Sequence, residues 1–405
     1  MEQQQNTQRN AVITIFICFL IAFIEGIDLQ SAGVAAAGVV AHFGLDKPAL
    51  GLFFSTAILG LLPGGLIGGR LGDRIGRKKV LIISVILFGL FSIFTALVTS
   101  YQGLLFARFM TGVGLGAALP NLVALASEVV SDKARGRAIS LMYCGMPIGG
   151  IAVSLLASSA LASDWKVIFY VGGVLPLLIV PLMVIFLPES RAFLATQQTD
   201  QQVAKTKFSD LFNHYFRMPT LLLWVGYFFT MMVVYMLLNW LPSLLMELGF
   251  KKQDATMVQM FFSVGAFIGT IVLGILVDRW KMKNVILLMY SGIILGLIAL
   301  NSFDSVTAMY FAGALVGCFT IGGQMVLYAL GSQVYPTQMR GTGVGTAMTV
   351  GRFGAMAGPA VAGQFLAMGN GATGLIATCI PGIIIAAMLI LILLSTMQKR
   401  AHLQS

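Results

Sequence analysis

Apolar runs long enough to cross a membrane recur twelve times along the chain. Six lie at about 11–33, 49–70, 80–99, 103–126, 138–160 and 165–187, and six more at about 219–245, 255–277, 284–302, 306–331, 341–365 and 373–397. A helix needs about 20 apolar residues to span roughly 30 Å of hydrocarbon, so each run predicts one transmembrane helix. Polar residues gather in the short connections, with one long hydrophilic interval, Pro188 to Pro219 ("PESRAFLATQQTDQQVAKTKFSDLFNHYFRMP"). The pattern predicts an all-α membrane protein of twelve transmembrane helices in two six-helix bundles, 11–187 and 219–397, joined by a linker at 188–218. Ala35 to Ala37 imitate a leader cleavage site, but the first run is too long for a signal-peptide core and carries two acids, so it reads as a span.

Composition agrees: 58% of the 405 residues are hydrophobic and 10% charged, with a mean hydropathy of +0.91, whereas an average soluble domain is about a quarter charged. The net charge of +10 would suit nucleic acid, but its placement argues otherwise. On one side the connections hold only Lys47, Lys166, Lys251 and Lys252. The other side holds Arg70 to Lys79, Lys133 to Arg137, the basic residues of the long interval, Arg279 to Lys283, Arg340, and both tails. That asymmetry puts both termini in the cytoplasm and marks a lipid bilayer, not a nucleic acid, as the partner. The four cysteines, Cys18, Cys144, Cys318 and Cys379, fall in separate spans without a CxxC pair or metal-ligand spacing and read as packing residues. His42, His214 and His402 lie in predicted loops or the tail. The sequence therefore offers no metal site, no cofactor site and no catalytic constellation.

The two groups of six are related. A shift of 205 residues superimposes Gly69, Asp73, Arg74 and Val80 on Gly274, Asp278, Arg279 and Val285. The same shift superimposes Ser127, Val129, Arg135 and Gly136 on Ser332, Val334, Arg340 and Gly341. One offset at two loops indicates a duplicated six-helix unit. An even helix number gives both copies the same orientation, as in transporters built from parallel repeats.

Ionisable residues inside spans are costly and mark function or ion pairing. Glu25 and Asp28 fall three residues apart in the first span, on one helix face. Burial and mutual repulsion favour a proton on one of them, which suits proton coupling; the alternative is that they neutralise Arg108 or Arg352. Arg108 lies a turn or two inside span four and Arg352 about midway along span eleven. A guanidinium presents a planar fork suited to a carboxylate substrate, while each arginine has a structural ion pair as its alternative. Tyr143, Tyr227, Tyr235, Asn239, Trp240, Gln324 and Tyr328 lie in spans able to line a central path. Tyr and Trp stack on an aryl ring and still donate a hydrogen bond, though individually each also fits helix packing or an interfacial belt. The glycines Gly112, Gly114 and Gly116 read as helix-packing residues. The Gly68 to Lys79 loop lacks the GxxxxGK[ST] pattern of a phosphate-binding loop.

That loop, "GGRLGDRIGRKK", resembles the signature loop of the major facilitator superfamily, and "GILVDRWKMKN" (Gly274 to Asn284) is its weaker echo. Within the superfamily, Glu25-Gly26-Ile27-Asp28 resembles the Asp-Gly-x-Asp motif of the aromatic acid:proton symporters. "ARFMTGVGLGAALPN" (Ala107 to Asn121), "PES" (Pro188 to Ser190) and "GRFGAMAGP" (Gly351 to Pro359) fit that subgroup too. The resemblance covers essentially the whole chain and is nearest to uptake carriers for 3-(3-hydroxyphenyl)propionate and hydroxycinnamates. It implies a monomeric inner-membrane symporter that moves an aromatic acid with protons by alternating access. Asp28 would be the chief coupling residue with Glu25 its partner, while Asp73 and Arg77 would hold a cytoplasmic gate through charge pairs with Glu128 and a helix N-terminus. The first acid is Glu where the motif has Asp, and the second loop has lost its Gly-Arg. A proton-driven exporter of the same fold is the first rival: its span-five Gly-Pro-x-x-Gly-Gly is only approximated by Gly145 to Gly150. A membrane-embedded enzyme is the second, but no nucleophile-base or metal-ligand spacing supports one.

Overall fold

A computed structural model describes residues 2–131, 134–162, 164–190, 193–194 and 208–404. Much of the predicted linker, at 191–192 and 195–207, lies outside the described residues, as do the loop cations Lys133, Arg191, Lys205 and Lys207. Among the described residues twelve long helices follow one another: α1 Glu2–Phe43, α2 Lys47–Ile75, α3 Arg77–Leu97, α4 Tyr101–Glu128, α5 Arg135–Ser158, α6 Lys166–Phe186, α7 Arg217–Glu247, α8 Lys252–Arg279, α9 Met282–Ser302, α10 Val306–Val334, α11 Thr337–Ala367 and α12 Gly371–Gln404. The described residues include no strand. At 1.5 Å per residue, the 21 residues of α3 reach about 31 Å, enough for the bilayer interior.

Local signals set several helix ends. Asp46 caps α2 by accepting the Ala49 N–H at 2.8 Å, and Ser100 caps α4 by accepting that of Gly103 at 3.2 Å. Between α2 and α3 the chain turns at Gly76 with φ +105°, where a side chain would also strike the Glu189 carboxylate.

The chain separates into two compact units, 1–202 and 203–405. In the first, α1 packs on α5 and α6, α2 on α4, and α3 on α4 and α6. The α2–α4 contact depends on missing side chains: a Cβ at Gly60 or Gly64 would land on the Phe109 or Val113 carbonyl, and one at Gly112 or Gly116 on that of Ala57 or Leu61. Such close backbone approach is how small residues hold helices together where lipid gives no hydrophobic drive. The second unit uses the same neighbours: α7 with α11 and α12, α8 with α10, α9 with α10 and α12.

Two features depart from the expected pattern. α5 is not one continuous helix but two segments, Arg135–Tyr143 and Gly145–Ser158, meeting at Cys144. Among the described residues eleven helices are long and apolar enough to cross a membrane, and α11 falls short of that criterion. It is dense in glycine and threonine and carries Arg340 and Arg352. Its small residues serve proximity instead, since Gly354 and Gly358 lie against the Phe228 and Met232 carbonyls of α7.

Candidate functional site

The first unit encloses an ion pair. Asp28 of α1 is 0% exposed and Arg108 of α4 is 1% exposed. Arg108 Nη1 donates to Asp28 Oδ1 at 3.1 Å and Oδ2 at 3.3 Å. The Ser92 hydroxyl of α3 lies 3.3 Å from Oδ1 and 3.2 Å from the Phe169 carbonyl of α6. Two phenyl rings border the guanidinium, with centroids 5.9 Å (Phe53) and 5.4 Å (Phe169) from its carbon, and the Arg108 Nε–H has no hydrogen-bond partner. Arg108, one of the two cations that the sequence offers the acids, thus pairs with Asp28 inside this unit. Glu25 lies one turn earlier on α1 and is also buried, at 4% exposed. A buried pair of this kind is balanced: losing either charge leaves the other uncompensated at high cost. Ser92, Phe53 and Phe169 were not singled out by sequence, where a serine or phenylalanine in an apolar span looks like packing.

A second cluster lies at the α2–α3 turn. Arg77, the first residue of α3, donates to Glu128 Oε1 at 3.0 Å and to Asp73 Oδ1 at 3.4 Å, so the three expected residues do meet. Ser190 donates its hydroxyl proton to Glu128 Oε2 at 2.7 Å. Glu189 Oε1 accepts the N–H groups of Lys78 (3.0 Å) and Ser190 (2.9 Å), which places a carboxylate at the positive end of α3. Lys78 Nζ reaches the Val184 carbonyl at 2.8 Å. The helix-terminus contact within this unit thus comes from Glu189, and Asp73 itself remains 70% exposed on its side chain. The sequence signal for Glu189 and Ser190 was the "PES" run directly after span six.

In the second unit the polar residues are mostly neutral. Arg352 is half-buried on α11, and Tyr143 of the first unit, Tyr235 and Gln324 are half-buried on their helices. Asn239 Nδ2 donates to the Tyr235 carbonyl at 2.9 Å, and Trp240 Nε1 donates to the Pro359 carbonyl at 3.0 Å. Both donors are thus engaged by backbone, and the Trp240 ring is only 2% exposed. Tyr328 is exposed to 50%. Thr230 of α7 and Tyr290 of α9, neither singled out by sequence, share a buried hydroxyl–hydroxyl bond of 3.0 Å. Tyr227, one turn before Thr230, is 3% exposed and its hydroxyl has no partner. His42, expected in a loop, sits in the last turn of α1 with its ring 4.7 Å from Phe43 and 5.6 Å from Trp165. Among the described residues no group of His, Cys, Asp or Glu is arranged to hold a metal.

Known proteins share this architecture. The 3-(3-hydroxy-phenyl)propionate transporter of Escherichia coli K12 is 49% identical over 393 residues, covering 97% of this chain and 96% of that protein. The 4-hydroxybenzoate transporter PcaK of Pseudomonas putida is 31% identical, covering 90% and 88%. The crystal structure of a D-xylose-proton symporter superimposes with a TM-score of 0.77 at 17% identity, covering 93% of this chain and 97% of that one, a likeness of fold. Over residues 18–359 the sequence matches the model of the Major Facilitator Superfamily. With twelve helices in two like-built halves, the chain is a multi-pass membrane protein and belongs to that superfamily.

Proposed function

We propose that the chain is a proton-coupled symporter importing an aromatic carboxylate of the hydroxyphenylpropionate, hydroxycinnamate or hydroxybenzoate type across the bacterial inner membrane by alternating access. The buried Asp28–Arg108 pair carries this reading, supported by relatives named for aromatic acids. Drawing a monoanion into a cell against 100 mV costs roughly 2.3 kcal/mol, which one accompanying proton cancels. A proton arriving on Asp28 removes one charge of the pair and leaves the Arg108 guanidinium uncompensated. The site then favours taking up an anion, so proton and carboxylate load together. Glu25 supports Asp28, Arg352 clamps the carboxylate with its planar fork, and Asp73, Arg77 and Glu128 form the gate. Tyr143, Tyr227, Tyr235, Asn239, Trp240, Gln324 and Tyr328 serve the aromatic part of the substrate. The protein works as a monomer with both termini cytoplasmic, its bundles at 11–187 and 219–397 flanking the 188–218 linker.

Uptake of labelled 3-(3-hydroxyphenyl)propionate into proteoliposomes under an inward proton gradient tests the reading. Wild-type protein should accumulate the acid and Asp28→Asn should not; extrusion driven by the gradient would identify the exporter instead. In equilibrium binding, Arg352→Lys and Arg352→Ala should both weaken affinity, and unchanged affinity in both would remove Arg352 from the site.

A further inference from the structure

The last residues of the polar interval fold back onto the second unit. Phe208–Phe212 form a short 3-10 helix. Its Leu211 carbonyl accepts the Thr220 hydroxyl proton of α7 at 3.2 Å, and the Tyr335 hydroxyl, in the α10–α11 turn, donates to Thr220 Oγ1 at 3.0 Å. Leu211, Thr220 and Tyr335 are buried, so this chain of hydroxyls pins the short helix from its inner side. The rings of Phe208 and Phe212 pack on Trp224, with centroids 6.3 and 5.5 Å away. Trp224 lies two turns into α7, about 10 Å along the helix axis from Arg217. The segment therefore runs back beside the start of α7 and does not extend away into water. Its outer side is apolar: Phe208, Phe212 and Tyr215 are exposed, and so are Met218, Leu221 and Val225, which form a stripe at helical spacing on α7. Arg217 is exposed at the same edge, and the sequence puts Lys205 and Lys207 just before the segment against one acid, Asp210.

We infer that Phe208–Arg217 is an interfacial anchor: its exposed rings sit in the headgroup layer of the bilayer, and Arg217 contacts the phosphate of an anionic phospholipid. Exposed rings clustered on a segment outside the spans are a liability in water. Beside the lipid-facing stripe of α7 they continue a surface that already meets lipid. Aromatic residues favour the interface because the ring enters the acyl boundary while a polar tip, here the Tyr215 hydroxyl, stays at the headgroups. The charge is complementary as well, since basic residues next to a span are drawn to anionic lipid, each by about fivefold in binding. The hydroxyl chain on the inner side and the lipid on the outer side then hold the segment between them. This anchoring involves neither substrate nor proton gradient, so it stands or falls apart from the transport reading.

Spin labels on Phe208→Cys and Tyr215→Cys test it, in full-length protein reconstituted into phosphatidylcholine vesicles with and without phosphatidylglycerol. Collisions are measured with oxygen, which concentrates in lipid, and with a neutral nickel chelate, which stays in water. Labels on Leu295→Cys, exposed on α9, and on Asp304→Cys, exposed in the α9–α10 connection, give the lipid and water references. The unsubstituted protein, whose four cysteines are buried or half-buried, gives the background. Both labels should show an oxygen-to-nickel ratio nearer that of Leu295 than that of Asp304. Phosphatidylglycerol should raise the ratio of immersed to lifted label at Tyr215, and Arg217→Gln should lower it about fivefold in those vesicles. A water-like ratio at both sites overturns the inference. Shielding from both reagents also overturns it and assigns the face to a protein partner or to another part of this chain. Indifference to phosphatidylglycerol and to Arg217→Gln overturns the phosphate contact. Phe208→Cys removes a ring from Trp224, and if that variant does not insert, Tyr215→Cys decides alone.

Discussion

The two halves are nearly the same scaffold with different contents. Shifted by 205 residues, α3 (77–97) falls on α9 (282–302), and α2 and α4 begin where α8 and α10 begin. The backbone contacts repeat atom class for atom class. Gly60 and Gly64 against the Phe109 and Val113 carbonyls become Gly265 and Gly269 against those of Ala314 and Cys318. Gly112 against Ala57 becomes Gly317 against Phe262, and Gly149 against Phe23 becomes Gly354 against Phe228. The chemistry does not repeat. Asp28 corresponds to Val233 and Arg108 to Gly313, so the buried ion pair exists in one half only. At the loop, Arg77 and Glu128 correspond to Met282 and Gln333, so the second half lacks those two charges at the matching positions. Glycine spacing preserves the frame because any Cβ there would collide with a carbonyl. The pointed-in side chains carry no such constraint, and the halves have diverged at those positions.

The largest effect should come from breaking the chemistry of one half. Asp28→Ala leaves Arg108 buried and unpaired and should cost roughly 3–5 kcal/mol. Val233→Ala, its counterpart, removes only two methyl groups and should cost about 1–2 kcal/mol in lost packing and the cavity left behind. Denaturation in mixed micelles measures both, and equal losses would mean that the pair adds nothing to the first half. Next come the shared contacts. Gly112→Ala and Gly317→Ala each force a methyl onto a carbonyl and should each cost about 1–3 kcal/mol, with no more than about 1 kcal/mol between them. A wide gap would show that only one α2–α4-type contact is needed for stability. The smallest effect belongs to the loop. Arg77→Met gives the first half the residue of the second; its pair with the exposed Asp73 should contribute little and its part-buried pair with Glu128 about 1 kcal/mol. Transport should slow severalfold while equilibrium substrate binding holds, and a parallel loss of binding would move Arg77 from gate to site.

The spans were legible because hydrocarbon thickness imposes a length that apolar residues display directly. Their ends were less so: α1 and α12 continue as helix into polar tails at Glu2 and Gln404, since backbone hydrogen bonding does not stop where lipid does. The break at Cys144 follows from Pro147, which has no N–H to offer the Tyr143 carbonyl four residues earlier; it was not legible because proline alone does not decide, and Pro63 and Pro120 sit inside continuous helices. Glu25, Asp28 and Arg108 stood out because charge in a span is expensive, yet which arginine met Asp28 depended on the packing of α1 against α4, which no local spacing encodes. Tyr290 and Thr230 passed unnoticed for a similar reason. A lone hydroxyl in an apolar helix satisfies itself on its own backbone, as Thr270 does on Ala266, and only tertiary structure shows which ones reach across.

α11 has a consequence for how the protein is made. A helix dense in glycine and carrying Arg352 gains little by partitioning into lipid alone, and an arginine near its middle costs about 2.5–3.5 kcal/mol on the insertion scale. Its stability in the bilayer comes from α7, whose Phe228 and Met232 carbonyls its glycines approach. During synthesis α7 is already in place when α11 emerges, so the nascent α11 has a docking surface to enter against. The order of translation therefore supplies what hydrophobicity withholds: a circular permutation that makes α11 before α7 would present the insertion machinery with a segment it has reason to reject.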